Sequence, residues 1–177
     1  MELIRAVTKK ERENVKNLYL TAFPKEERKP FDLIIEKQAE GGSDILYMKD
    51  KGEFCGLAIP AIDGDIVLLV FFAVADSKRG GGYGSRALKM IMEKYEGKRF
   101  ILEIEDTAAK AENSEQRIRR KNFYIKNGLM NTGLMANVMG VKMEILGNTD
   151  NITFEEYWNV YENAFGREIS EKIKRVE

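Results

Sequence analysis

The sequence has no histidine and a single cysteine, Cys55. Without histidine there is no Ser-His-Asp or Cys-His nucleophile system and no imidazole metal ligand. One thiol forms no internal disulfide and no cysteine zinc cluster, so no metal site is expected. Acid–base chemistry is left to Glu, Asp, Lys, Tyr, Cys55, water or backbone groups. Net charge is absent as well: 29 Lys and Arg stand against 29 Asp and Glu. The chain therefore has no general attraction to nucleic acid or an anionic membrane, and neither is an expected partner. No apolar run approaches the roughly 18 residues of a membrane span, and Met1-Glu2-Leu3-Ile4-Arg5 lacks the apolar core of a secretion signal. A cytoplasmic location is the expectation. No repeat, low-complexity stretch or Pro/Ser-rich linker divides the 177 residues, a length that fits one domain with one sizeable core.

The apolar pattern changes period along the chain. Leu3 to Val7 reads as a short strand. Thr8-Lys9-Lys10-Glu11 is a capping box, and the helix it opens carries Val15, Leu18, Tyr19 and Ala22 on one face. Pro24 ends that helix, and a charged loop, Lys25 to Lys29, leads to a short second helix from Pro30 to the Gly41-Gly42 stop. Asp44 to Lys49, Glu53 to Ala61 and Asp65 to Ala75 are rich in β-formers, separated by turns at Asp50-Lys51-Gly52 and Asp63-Gly64. Helical spacing returns from Gly84 to Tyr95, a strand follows at Lys98–Glu105, and a helix spans Ser114–Asn127 with Gly128 beyond its end. Two strands, about Thr132–Val138 and Val141–Leu146, precede a second capping box, Thr153 to Glu156, and a last helix. The order predicts an α+β fold with a single mixed, mostly antiparallel sheet flanked by helices. Residues 1–166 form the expected domain, and the charged residues 167–177 are a tail expected to fray.

Chemistry concentrates where the strand Ile66 to Ala75 runs through Asp76-Ser77-Lys78-Arg79 into Gly80-Gly81-Gly82-Tyr83-Gly84-Ser85 and a helix. Glycine lets successive N–H groups curl inward, and the helix dipole adds partial positive charge, so such a turn suits phosphate or pyrophosphate. A P-loop needs Lys-Ser/Thr after its last glycine, whereas Gly84 is followed by Ser85-Arg86. A Rossmann turn fits better, with Glu103 and Glu105 about twenty residues on as ribose-binding candidates. Against it, Ser85 replaces the third glycine, and the preceding hairpins suit an antiparallel sheet. Elsewhere, Cys55 among Phe54, Leu57 and Ile59 reads as a small buried residue. The basic run Arg117, Arg119, Arg120, Lys121 reads as a solvated face or a partner for a ligand phosphate. Tyr157, Trp158 and Tyr161 read as packing, with Trp158 also a candidate dimer contact.

Val74 through Ser85, with Arg79-x-x-Gly82-x-Gly84, resembles the acyl-CoA pyrophosphate loop of the GNAT N-acetyltransferase superfamily. Phe123-Tyr124-Ile125-Lys126-Asn127-Gly128-Leu129 resembles its second signature, and the element order is similar over residues 1–165. The resemblance implies the acyl-CoA N-acyltransferase fold and transfer of an acetyl group from acetyl-CoA to a primary amine by direct attack. It implies that Arg79, Gly80, Gly81, Gly82, Tyr83, Gly84 and Ser85 hold the pyrophosphate. Free backbone groups of Phe72, Ala73 and Val74 would pair with pantetheine, one N–H facing the thioester oxygen. It makes Tyr124 the candidate general acid for the leaving thiolate. Leu102-Glu103-Ile104-Glu105 alternates, so both carboxylates share a sheet face. Similarity to the ribosomal-protein acetyltransferase branch makes Glu103 the preferred base, with Glu105 the alternative. A small-molecule or peptide amine is the implied acceptor, met near Phe23 to Phe31 and the last two strands, with the protein a monomer or homodimer. Two other readings stay open: a non-catalytic acyl-CoA-binding regulatory module and a Rossmann-type nucleotide-dependent oxidoreductase.

Overall fold

A computed structural model describes residues 1–176. Among them the order is β1 (Glu2–Arg5), α1 (Lys9–Ala22), α2 (Phe31–Glu40), β2 (Leu46–Asp50), β3 (Glu53–Asp63), β4 (Ile66–Val74), α3 (Tyr83–Lys94), β5 (Arg99–Glu105), α4 (Ser114–Lys126), β6 (Met130–Val138), β7 (Val141–Gly147), α5 (Phe154–Phe165), α6 (Arg167–Ser170) and β8 (Ile173–Arg175). A 3-10 turn, Asp76–Lys78, precedes α3. The strands hydrogen-bond in the order β1-β2-β3-β4-β5-β7-β6-β8, a mixed and mostly antiparallel sheet. That is not the parallel, doubly wound sheet of a Rossmann fold, so the oxidoreductase reading falls. No described helix is long and apolar enough to cross a membrane. The residues group into two compact units.

The first unit comprises Met1–Ile62 and Leu69–Glu96. The Thr8–Glu11 capping box forms as expected and fixes the start of α1, whose Val15 and Tyr19 turn inward. Gly41, at φ 85°, closes α2, a conformation that excludes most side chains. Antiparallel pairing joins β1 to β2 and β2 to β3. On β4, Phe71 packs edge-on to Tyr19 (4.8 Å) and Phe23 (5.0 Å) of the α1 region. Its neighbour Phe72 packs against Met48, Cys55 and Ala87 together with Tyr83. Adjacent strand residues point to opposite faces, so β4 is covered by α1 on one side and α3 on the other. Cys55 is buried, as its apolar neighbours predict.

The second unit comprises Asp63–Leu68 and the chain from Gly97 onward. Here β7 pairs antiparallel with β5 and β6, and β6 with β8. Arg99 on β5 clamps Asp65 (2.7 Å) and Glu156 (2.8 Å), the latter within the second capping box. Along α5, Phe154, Tyr157, Tyr161 and Phe165 form a ladder with ring centroids 5.6–6.0 Å apart. Residues expected to fray past 166 instead form α6 and β8. Ile173 is buried and pairs with Val138, while Trp158 Nε1 donates to the Ser170 carbonyl (2.8 Å). A charged stretch holds a strand when one inward apolar residue suffices to dock it.

Candidate active site

In the first unit β4 ends at Val74, and the Ala75 N–H bonds to the Cys55 carbonyl (2.8 Å). The chain then crosses the 3-10 turn and reaches Gly80 and Gly82, both left-handed at φ 81° and 72°. Gly82 is the N-cap of α3 and brings no side chain to its first amides. The Arg79 N–H bonds back to Asp76, and the first bond of the helix runs from Arg86 to Gly82. Between them, the amides of Gly80 to Ser85 make no hydrogen bond among the described residues. No acidic side chain occupies the first turn of α3. Six unbonded donors at the positive end of a helix, with no carboxylate to oppose an anion, fit a diphosphate. Tyr83 is pinned by a bond from its hydroxyl to Asp50 (3.1 Å) and by the Arg86 guanidinium 4.6 Å from its ring centre. The side-chain charges near the loop are already engaged: Lys78 pairs with Glu53 (2.5 Å) and Arg79 with Asp76 (2.8 Å).

The end of β4 rests on a contact the sequence reading passed over. A Cβ at Gly56 would overlap the Ala73 carbonyl oxygen and lie 3.1 Å from Val74 Cα. Only glycine lets β3 come that close to the two residues expected to face the thioester. A glycine in mid-strand, in Phe54-Cys55-Gly56-Leu57, was the available signal.

The second unit holds the acid–base candidates. Tyr124 lies on α4, 9% exposed, and burial pushes its phenol up to about 12, with Arg120 opposing. Its ring meets Phe123 at 5.1 Å, and its hydroxyl makes no hydrogen bond among the described residues. Glu103, on β5, accepts from both α5 tyrosines: Tyr157 at Oε1, and Tyr161 at Oε1 (2.7 Å) and Oε2 (2.8 Å). Burial and then the charge of Glu103 hold both phenols well above their ordinary range, so they remain donors. The tyrosines read from sequence as packing thus also fasten a carboxylate. Glu105 is committed elsewhere, to Arg117 (2.7 Å) and Arg120 (3.5 Å). Every cation of the α4 run has a partner, but four cations meet three carboxylates: Arg117 and Arg120 share Glu105, Arg119 pairs with Glu115 (3.3 Å) and Lys121 with the buried Glu144. Tyr124, Glu103 and Glu105 form no hydrogen bond with one another.

No curated protein matches the sequence. Solved structures share its fold. A GNAT-family protein from Bacteroides thetaiotaomicron superposes with a TM-score of 0.77 at 19% identity, covering 94% of this chain and 99% of that one. An aminoglycoside 6'-N-acetyltransferase complexed with coenzyme A gives 0.66 at 15% identity, over 86% and 99%. The ribosomal-protein-S18-alanine N-acetyltransferase of Escherichia coli gives 0.63 at 16%, over 86% and 99%. A profile of the acetyltransferase (GNAT) family matches residues 12–117. It spans more than half of the sequence, and the chain belongs to that family, acetyl-CoA-dependent N-acetyltransferases.

Proposed function

We propose that the protein acetylates a primary amine by direct attack within a ternary complex, with Tyr124 as general acid and Glu103 as base. The observation that carries this reading is the run of unbonded amides from Gly80 to Ser85 at the head of α3. Acetyl-CoA supplies the activated acyl group. The amides hold its diphosphate, and a backbone N–H of Ala73 or Val74 stabilises the oxyanion that develops on the acyl oxygen. Tyr124 then gives its phenolic proton to the departing sulfur. Its hydroxyl has no internal hydrogen-bond partner among the described residues, so its proton is free to be given to the sulfur. A core tyrosine kept only for packing would have its hydroxyl satisfied.

Glu103 takes the proton of the attacking amine through water. The hydroxyls of Tyr157 and Tyr161 donate to its carboxylate and fix its orientation. Glu105 is the weaker candidate, because two guanidinium groups occupy it. No covalent enzyme intermediate is needed, in keeping with a chain without histidine. The test is to incubate the protein with acetyl-CoA and a panel of amines and to follow free thiol. Amine-dependent thiol release with a matching acetylated product supports the reading. Tight coenzyme A binding without product from any amine removes it.

A further inference from the structure

We infer that the open pocket between α1 and the start of α2 takes a carboxylate on the acceptor, which makes the acceptor an acidic amine and not a polycation. The inference names the substrate class for the acetyl transfer proposed above and rests on that reading for the acceptor's role.

The segment Lys25-Glu26-Glu27-Arg28-Lys29 is nearly neutral in sequence, but folding sorts its charges. Lys25, Arg28 and Lys29 line a pocket of about 410 Å³ with Lys16 of α1, and neither glutamate lines it. Asp32 is the one acid in the lining. Lys16, Lys25 and Arg28 form no ion pair among the described residues, whereas all four cations of the α4 run do. Unpaired cations gathered at one concavity create a positive potential that draws an anion.

Arg28 carries the argument furthest. Its Nη1 donates to the Leu20 carbonyl (3.2 Å), which fixes the guanidinium against the end of α1. Its Nε is shut off from solvent and has no acceptor. A buried donor without a partner is unfavourable, and a guanidinium with donors to spare is the side chain best suited to a carboxylate. The pocket wall is rigid. The Tyr19 hydroxyl accepts from the Lys29 N–H (2.7 Å) and donates to the Lys29 carbonyl (3.0 Å), while the Tyr19 ring packs on Phe31 (5.6 Å) and Phe71 (4.8 Å). Phe71 lies two residues before Ala73 on β4, so the same wall reaches the strand assigned to the thioester. Pro30 caps α2 without a side-chain bond, and Asp32, in the first turn, already places one carboxylate at the positive end of that helix.

The experiment compares matched amines with acetyl-CoA: β-alanine and 4-aminobutyrate against ethanolamine, with phosphoethanolamine and spermidine as further arms. In parallel, succinate, which has no amine to acetylate, is titrated calorimetrically into the wild type, Arg28→Gln and Lys25→Gln. The expected result is higher kcat/KM for the carboxylate amines than for ethanolamine or spermidine. In Arg28→Gln that ratio falls about tenfold or more, the size expected for one charge-assisted bond. Succinate binding weakens in step, and Lys25→Gln, in an exposed loop, shows a smaller loss of the same sign. Preference for phosphoethanolamine over every carboxylate amine would overturn the carboxylate assignment. Turnover that favours spermidine or ignores the acid group would overturn the pocket while leaving acetyl transfer standing. Arg28-dependent succinate binding without acetylation of any amine would keep the pocket and remove the transfer. Neither binding nor turnover would end both.

Discussion

The Tyr161 hydroxyl donates a hydrogen bond to Glu103, whereas that of Tyr124, also buried, donates to no group among the described residues. That contrast separates a residue that positions from one able to react. Tyr124→Phe is expected to lower kcat about a hundredfold or more, the usual contribution of a general acid, with a small change in KM for acetyl-CoA. Glu103→Gln should depress kcat/KM about a hundredfold or more, the usual contribution of a general base, read in steady-state assays. At Gly56 the expected effect is on backbone: alanine forces its Cβ against the Ala73 carbonyl. Overpacking of that kind costs about 1–3 kcal/mol, measurable by urea unfolding, and activity should fall further than stability alone accounts for. The sequence shows Tyr157 and Tyr161 one helical turn apart, hence on one face. It does not show that their shared partner stands more than fifty residues earlier, because that pairing exists only once α5 docks on β5.

Among elements, those with local chemistry at their ends were legible. Thr8–Glu11 and Thr153–Glu156 announce α1 and α5, and both boxes form as written. Thr8→Ala and Thr153→Ala should each cost about 1 kcal/mol. The two changes should add in thermal or urea unfolding, since they share no partner. The loop into α3 makes a sharper case. Gly82 sits at φ 72°, where an L side chain costs about 1–2 kcal/mol. Gly82→Ala should therefore turn the loop amides away and raise the dissociation constant of coenzyme A in calorimetry. Elements whose pattern is broken were harder to bound. The sequence reading starts β6 at Thr132, but the strand starts at Met130. Its pairing slips between Asn131 and Met135, around left-handed Gly133, so the alternation that marks a strand is interrupted. The last strand, β8, was missed because a single inward residue, Ile173, leaves no period to detect.

For the molecule as a whole, the lack of histidine means that no side chain of ordinary pKa titrates between pH 5 and 8. Stability should be flat there, and change at both ends. On the alkaline side, burial raises Tyr19 and Tyr124 to about 12 and drives Tyr95, Tyr157 and Tyr161 higher. Unfolded tyrosine ionises near 10. Their contribution is complete below about 10 and disappears as pH rises through the folded values. Tyrosine absorbance should therefore rise together with loss of helical circular dichroism. On the acid side, Asp106 and Glu144 are held below the ordinary carboxylate range. Glu144 is opposed by its own burial but bonded to Lys121 and Thr107, and Asp106 is bonded to the Ala108 amide. Stability should fall as pH drops below about 4.5 toward their folded values. The sequence by itself determined the chemistry open to this protein, through its missing histidine, and the glycine loop ahead of α3, because both depend on residue type and local spacing. Tertiary structure alone decided which charges are paired, that Glu103 is held by α5, that Gly56 lets β3 close on Ala73, and that a neutral-looking loop presents its cations to one pocket. Those outcomes follow from which distant residues become neighbours, and one-dimensional spacing does not encode distance in space.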